Sequence, residues 1–196
     1  MSTFREEALE VEFKSKLNLE ERNYWDAFWQ TCAHAHPRQH TIFGEIEKAK
    51  GRKVTYVSGA IGTELKCIGV FSSKPLFNGS RFSFEAYCLR GPAFDNPSVL
   101  KPFLKRVLEE FSASNTGSVR IAPYWESSEA ERVLAELAQV GFQPCVPQRR
   151  CTETGRIDIT RSEGELLASL SQKTRKHIRN TQNLGVEILP VTDLTQ

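Results

Sequence analysis

The residues best suited to chemistry lie between Gln172 and Val186, in the stretch QKTRKHIRNTQNLGV. Lys173, Arg175, Lys176 and Arg179 fall in one short helical segment with no acidic residue among them. Guanidinium forks match phosphate oxygens bidentately and lysines add compact point charges, so the segment suits a ligand that carries phosphates. Each charge-assisted contact contributes about 1.5–3 kcal/mol. Two such contacts give affinity no better than roughly millimolar to tens of micromolar, before association costs, so the ligand needs further hydrogen bonds along its length. The bland account of the same cations is a solvated helix face. An RNA backbone is a further reading, although no aromatic residue is interleaved to stack on bases.

Other reactive types are less organised. His34, His36 and His40 are broken by Pro37. That spacing does not put three imidazoles on one helical face, and no carboxylate is evidently paired with them, so no metal site is expected. Cys32, Cys67, Cys88, Cys145 and Cys151 are odd in number and contain no CxxC pair. They read as reduced, mostly buried thiols. His177 is the one general-base candidate on the basic segment, with a solvated histidine the simpler account. No spacing argues for a nucleophile and its base, so no catalytic residue is assigned.

The elements must position these groups within 196 residues, room for one domain or one domain and part of another. Hydrophobic content of 39% with 12 Phe and 3 Trp is enough for a core, and 26% charged residues is ordinary for a globular chain. A net charge of +2 is too small to argue for nucleic acid or membrane, so any electrostatic case must be local. No apolar run approaches the roughly 20 residues of a membrane span. The acidic start (Glu6, Glu7, Glu10, Glu12) is unlike a signal peptide, and the chain reads as cytoplasmic.

Val11–Phe13 reads as a first edge strand. Asn18 or Asn23 caps a helix whose Tyr24, Trp25, Phe28 and Trp29 recur at helical spacing, as core rather than a ligand cage. Pro37 breaks that helix, and a second runs from Thr41 with Ile42, Phe43 and Ile46 together and Gly51 at its stop. Strand-like runs follow at Lys53–Ser58, Glu64–Ser72 and Arg81–Leu89, with turns at Gly59–Thr63 and Asn78–Gly79. After Arg90-Gly91-Pro92, one of Asp95, Asn96 or Ser98 opens a helix repeating Val99, Phe103, Val107 and Phe111, with Pro102 in its first turn or marking where the true helix begins. A strand at Ser118–Ala122 comes next. A helix capped by Ser127 or Ser128, carrying Val133, Leu134 and Leu137, ends at Gly141. Phe142 and Gly155–Thr160 read as two last strands. Ser162 and Glu165 form a capping box for a final helix, in which Leu166, Leu167, Leu170, Thr174, Ile178 and Thr181 share an arc of about 120° opposite the cations. The sum is an α+β or mixed α/β fold, helices covering a largely antiparallel sheet.

Five stretches in this order resemble the FemABX family of non-ribosomal peptidyl transferases, which are built from two tandem GNAT-like (acetyltransferase-fold) units. They are residues 36–51 (HPRQHTIFGEIEKAKG), 89–107 (LRGPAFDNPSVLKPFLKRV), 119–125 (VRIAPYW), 136–144 (ELAQVGFQP) and 157–188. In the last, an IDIT strand, a capped helix, a KTR core and a terminal GVE are the most telling. The resemblance implies a first GNAT-like domain over 1–156 and the opening strand and basic helix of a second over 157–196. Most of that second unit, and with it most of the acyl-donor site, is expected beyond Gln196. It implies transfer of an amino acid from aminoacyl-tRNA to a peptidoglycan-precursor peptide, UDP-linked or lipid-linked, in the bacterial cytoplasm. A lipid-linked acceptor would bring the chain to the inner membrane face. No metal or cofactor is implied.

The family pattern makes Lys173, Arg175, Lys176, Arg179 and Lys48 the expected precursor-binding residues. Around residue 47 relatives carry a cation for the precursor phosphates, where this chain has Glu47 beside Lys48; Asn183 also replaces a common basic residue. A nucleotide-binding GNAT cradles pyrophosphate on backbone N–H groups of a glycine-rich loop. The equivalent place here is Arg90-Gly91-Pro92, whose proline cannot donate, so acetyl-CoA is not expected. The alternatives are a non-catalytic precursor-binding or interaction module, another GNAT-fold N-acyltransferase, and an RNA-binding surface.

Overall fold

The protein is seen in a computed structural model that describes residues 8–75, 84–125, 127–145 and 157–185. The chain divides into two compact units, residues 1–144 and 145–196.

The first unit is built on a six-stranded sheet. Its strands are β1 (Glu10–Lys14), β2 (Lys53–Ile61), β3 (Glu64–Pro75), β4 (Phe84–Cys88), the two-residue β5 (Ala93–Phe94) and β6 (Thr116–Ile121). The path runs β1-β2-β3-β4-β6, with β5 added on β3. Every pairing is antiparallel except β4 with β6. A parallel pair needs a crossover, and helix α3 (Leu100–Ala113) supplies it. Helices α1 (Leu19–Thr31), α2 (Thr41–Ala49) and α4 (Ala130–Gln139) complete the unit.

Local chemistry sets the boundaries. Asn18 caps α1 in a reciprocal box with Glu21, and His40 accepts from Ile42 N to cap α2. Gly51 stops α2 at φ 75°. The β2–β3 reversal is tighter than Gly59–Thr63, because Gly59 to Ile61 stay in the strand and only Gly62 and Thr63 turn. Asn96 caps a single 3-10 turn, Pro97–Val99, that leads into α3. Helix α4 has no side-chain cap, contrary to the expectation of Ser127 or Ser128; the 3-10 turn Ser127–Glu129 winds into it instead.

Strand alternation divides the core into two layers. Cys67 and Phe71 of β3 join Phe103, Leu104, Val107 and Phe111 of α3 and Val133 and Leu137 of α4. Ile68 and Val70 face Trp25, Tyr56 and Leu17 with α1 and α2. Each fully buried large apolar side chain contributes about 1.5–3 kcal/mol. Of the aromatic stripe on α1, Trp25 is buried and Tyr24 half-exposed.

Three sequence expectations are corrected. Residues 142–145 form no strand, and Pro144 offers no N–H to a ladder. Residues 157–160 are not a strand either: Asp158 accepts from Thr160 N (3.0 Å) and Thr160 Oγ1 (2.6 Å), curling the chain locally. The final helix is two, α5 (Glu163–Ser169) and α6 (Gln172–Asn183). Leu170 leaves helical geometry at ψ 155°, and Ser171 Oγ accepts from Thr174 N at 3.2 Å to start α6. The apolar seam is therefore split, with Leu166, Leu167 and Leu170 before the break and Ile178 after it. The Asn78–Gly79 turn and residues 155–156 lie outside the described residues.

Candidate functional site

Strands β3 and β4 pair only from Ser72 to Pro75, and β5 occupies β3 at Cys67 and Ile68. Between these, Val70 lacks a strand partner on that side. Gln39, fully buried, fills the gap: its Oε1 accepts from Val70 N at 2.8 Å and its Nε2 donates to Leu89 O at 2.9 Å. Trp25 Nε1 holds the Gln39 carbonyl at 2.7 Å. Gly91 packs directly on this amide, where a Cβ would lie 2.3–2.7 Å from Gln39 side-chain atoms. The Gly91–Pro92 peptide is cis, and Arg90 before it has φ 57°. This arrangement sets the chain leaving the C-terminal end of β4, where the sheet changes from antiparallel to parallel pairing.

His36, Arg38, Arg90 and Tyr124 gather near that end, with the His36 and Tyr124 ring centroids 6.1 Å apart. Burial, with the Arg90 and Arg38 charges nearby, holds the His36 imidazole below its ordinary pKa. Its Nδ1 accepts from Arg38 N at 3.2 Å, so the ring proton sits on Nε2 and the neutral ring presents a donor there.

A second cluster surrounds Tyr87 on β4. Glu47, 2% exposed, receives Lys50 Nζ at 3.1 Å and Tyr87 Oη at 2.9 Å, and pairs with Arg52. Arg52 also donates to the Tyr87 hydroxyl. Two residues back, Glu85, 6% exposed, takes Lys74 Nζ and Arg120 Nη2, each at 2.9 Å. Arg52 Cζ and Lys74 Nζ approach the Tyr87 ring to 5.5 and 6.0 Å from its centroid. Burial alone would raise the Glu47 carboxyl, yet bonds from Lys50, Tyr87 and Arg52 outweigh it and leave it below its ordinary value. Burial and the bond to Glu47 push the Tyr87 phenol up to about 12. Sequence reading missed this cluster. Its signal was charge in mid-strand, Glu85 in FEAYC and Arg120 in SVRI.

The histidines do not share a centre, but two of them have carboxylate neighbours, contrary to the sequence reading. His34 Nδ1 lies 2.9 Å from Phe94 O and Nε2 2.5 Å from Glu129 Oε2. His40 Nε2 lies 3.6 Å from Asp26. Among the described residues no group of three or more His, Cys, Asp or Glu could hold a metal ion. Cys67 and Cys88 are buried, and burial raises both thiols, which suppresses thiolate chemistry.

Of the precursor-binding residues expected from sequence, Lys48 belongs to the first unit and is turned inward. Its Nζ pairs with Glu45 at 3.2 Å and lies 4.9 Å from the Tyr56 ring centroid. The other four are on α6. Arg175, Lys176 and Arg179 line one shallow, open depression with Gln172 and Asn180, and Lys173 lies outside it. Arg175 Nη1 donates to Ala168 O at 2.9 Å and Leu170 O at 2.7 Å, satisfying carbonyls at the end of α5. Lys173, Lys176 and Arg179 are exposed.

The architecture is a FemABX-like GNAT fold. It matches the crystal structure of FemX with a TM-score of 0.69 at 19% identity, over 87% of this chain and 43% of FemX. The chain thus spans less than half the length of that neighbour. An aminoglycoside acetyltransferase from an uncultured soil metagenomic sample, in complex with sisomicin, aligns with a TM-score of 0.49 at 8% identity, over 76% of this chain and 97% of that one. An aminoglycoside N-acetyltransferase in complex with CoA aligns with a TM-score of 0.49 at 14% identity, over 83% and 99%. No family model and no curated relative matches the chain. No helix among the described residues is long and apolar enough to cross a membrane.

Proposed function

We propose that the chain serves a FemAB-type aminoacyl transfer in the bacterial cytoplasm, moving an amino acid from aminoacyl-tRNA to the peptide of a peptidoglycan precursor. The observation that carries this reading is the fold shared with FemX across most of the chain. The acceptor's amine attacks the aminoacyl ester carbonyl, an amide forms, and the tRNA 3′ oxygen leaves carrying the electron pair and taking up the proton the amine sheds. The ester is already activated, so no cofactor and no covalent enzyme intermediate is needed. The precursor is UDP-linked or lipid-linked, the latter placing the chain at the inner membrane face. In this reading residues 1–156 form the first GNAT-like domain and 157–196 open a second. Lys173, Arg175, Lys176 and Arg179 contact the precursor, joined by Lys48 when it releases Glu45.

Calorimetry with a UDP-linked muropeptide tests this. Saturable binding is expected, weakened about tenfold by Lys176→Ala or by Arg179→Ala alone, each the loss of one charge-assisted contact. Absence of binding, or indifference to both substitutions, rejects the precursor reading. Steeply salt-dependent tRNA binding in its place would favour the RNA surface. Aminoacyl transfer from charged tRNA would exclude a purely binding module.

A further inference from the structure

We infer that His34 and Glu129 share one proton in a buried latch that ties the loop after α1 to the start of α4 and opens as pH rises. The His34 ring is buried and stacks on Phe94 of β5, with centroids 4.3 Å apart and planes 16° from parallel. Its Nδ1 lies 2.9 Å from Phe94 O, an atom that only accepts, so Nδ1 carries a proton. Its Nε2 lies 2.5 Å from Glu129 Oε2, and a carboxylate also only accepts. A neutral imidazole has a single N–H, already given to Phe94 O. A second proton must therefore stand between Nε2 and Oε2, whichever of the two carries it. Without it, lone pairs would face each other where little water screens them. With both ring nitrogens taken, none is left to act as a base for Cys32, whose thiol donates to the same Phe94 O at 3.1 Å.

The latch joins parts far apart in sequence, with 60 residues between His34 and Phe94 and 95 between His34 and Glu129. Glu129 occupies the N-cap position of α4 but makes no capping bond to that helix, and its carboxylate turns to His34 instead. Helix α4 in turn gives Val133 and Leu137 to the core. The segments that the latch joins also carry His36 and Tyr124, whose rings approach each other near the end of β4. Among the described residues, the ionisable groups flanking the latch are Cys32, Asp95, Glu131 and Arg132. Burial raises the Cys32 thiol above its ordinary value and keeps it neutral. Asp95, next to Phe94, pairs with Lys66 at 3.2 Å, and Arg132 donates to Asn96 Oδ1 at 3.0 Å. Glu131 is exposed to solvent. The closed latch binds one proton more than a neutral imidazole and a carboxylate standing apart. Its contribution is therefore full at lower pH and is lost as rising pH removes that proton. This holds with or without the transferase reading.

The experiment follows the histidine ring nitrogens of the whole chain by NMR between about pH 5 and 9, alongside amide hydrogen exchange. His34 is expected to hold protons on both nitrogens at the acid end and to lose the Nε2 proton in one step. The Val133 amide closes the first turn of α4 on the Glu129 carbonyl. Its protection, corrected for the intrinsic exchange rate, should fall about tenfold through the same step, as loss of one charge-assisted hydrogen bond does. In Glu129→Gln the new amide can donate to the bare Nε2, so the step in Val133 protection should vanish while His36 still titrates. Thermal melting checks that this variant keeps its fold, and the wild-type titration decides alone if it does not. A His34 ring with a single proton throughout overturns the inference. So does Val133 protection that ignores loss of the His34 proton, or a step that survives Glu129→Gln unchanged.

Discussion

Replacing Gln39 by leucine removes both hydrogen bonds across the gap between β3 and β4 while keeping nearly the same volume. Val70 N–H would then be left with the weak Cys88 thiol acceptor and Leu89 C=O would lose the Gln39 donor, since β4 pairs β3 only from Ser72 onward. Each stranded backbone group costs about 1–3 kcal/mol, so the pair costs about 2–6 kcal/mol. Against a total stability of about 5–15 kcal/mol this is a large fraction. For a chain of this size it lowers the melting temperature by roughly 4–24 °C. Thermal circular dichroism reads the shift, and hydrogen exchange at the Val70 amide reads its location. A melting point unchanged within about 1 °C, with the Val70 amide still slow to exchange, refutes the bridging role. A second variant tests the packing: Gly91→Ala forces a Cβ onto the Gln39 amide, so its cost should shrink in a Gln39→Ala background. Equal cost in both backgrounds would show that Gly91 does not pack on Gln39.

Two further predictions concern α2 and its neighbours. Glu47 titrates below its ordinary value of 4.5 in the folded chain, so its contribution is full above that pH and is lost as acid protonates it below. Glu47→Gln should flatten the acid limb of a urea-midpoint-versus-pH profile, and an unchanged acid limb would count against the network. Gly44 lets α2 approach Tyr56, and a Cβ there would lie 2.2 Å from the Tyr56 hydroxyl. Gly44→Ala should therefore destabilise by about 1–3 kcal/mol in denaturant titrations, and a neutral result would mean that Tyr56 can move aside.

Elements ruled by local chemistry were legible in the sequence. The Asn18 cap, the Gly51 stop, the Pro102 first turn and the Ser162–Glu165 box depend on neighbours within a few residues. The apolar repeat of α3 was legible for the same reason. The split between α5 and α6 was not, because Leu170 and Ser171 fit a helical pattern until Ser171 bonds Thr174 and opens a new start. The site was harder to read. Gln39 looks like any polar loop residue after Pro37, and only the divergence of β3 from β4 shows what its amide reaches. Arg52, Lys74 and Arg120 come together through sheet register and an α2 turn, neither of which their spacing announces. Charge counting along the chain favoured α6 instead, where Arg175 proves to be occupied with the carbonyls of α5.

Strand β1 has a consequence for how the protein behaves in a crowded solution. It lies at the end of the strand order, pairing β2 on one side and no described strand on the other. An open strand edge is a template for another chain's backbone, and charge along it blunts that tendency. Glu10, Glu12 and Lys14 put a charge at every second residue of this short edge, and Lys14 binds Glu12 and Glu21. A second copy adding edge to edge in full antiparallel register would set Glu12 against its own counterpart and strip water from the whole charged row. Charge along β1 thus opposes growth of the sheet by intermolecular pairing.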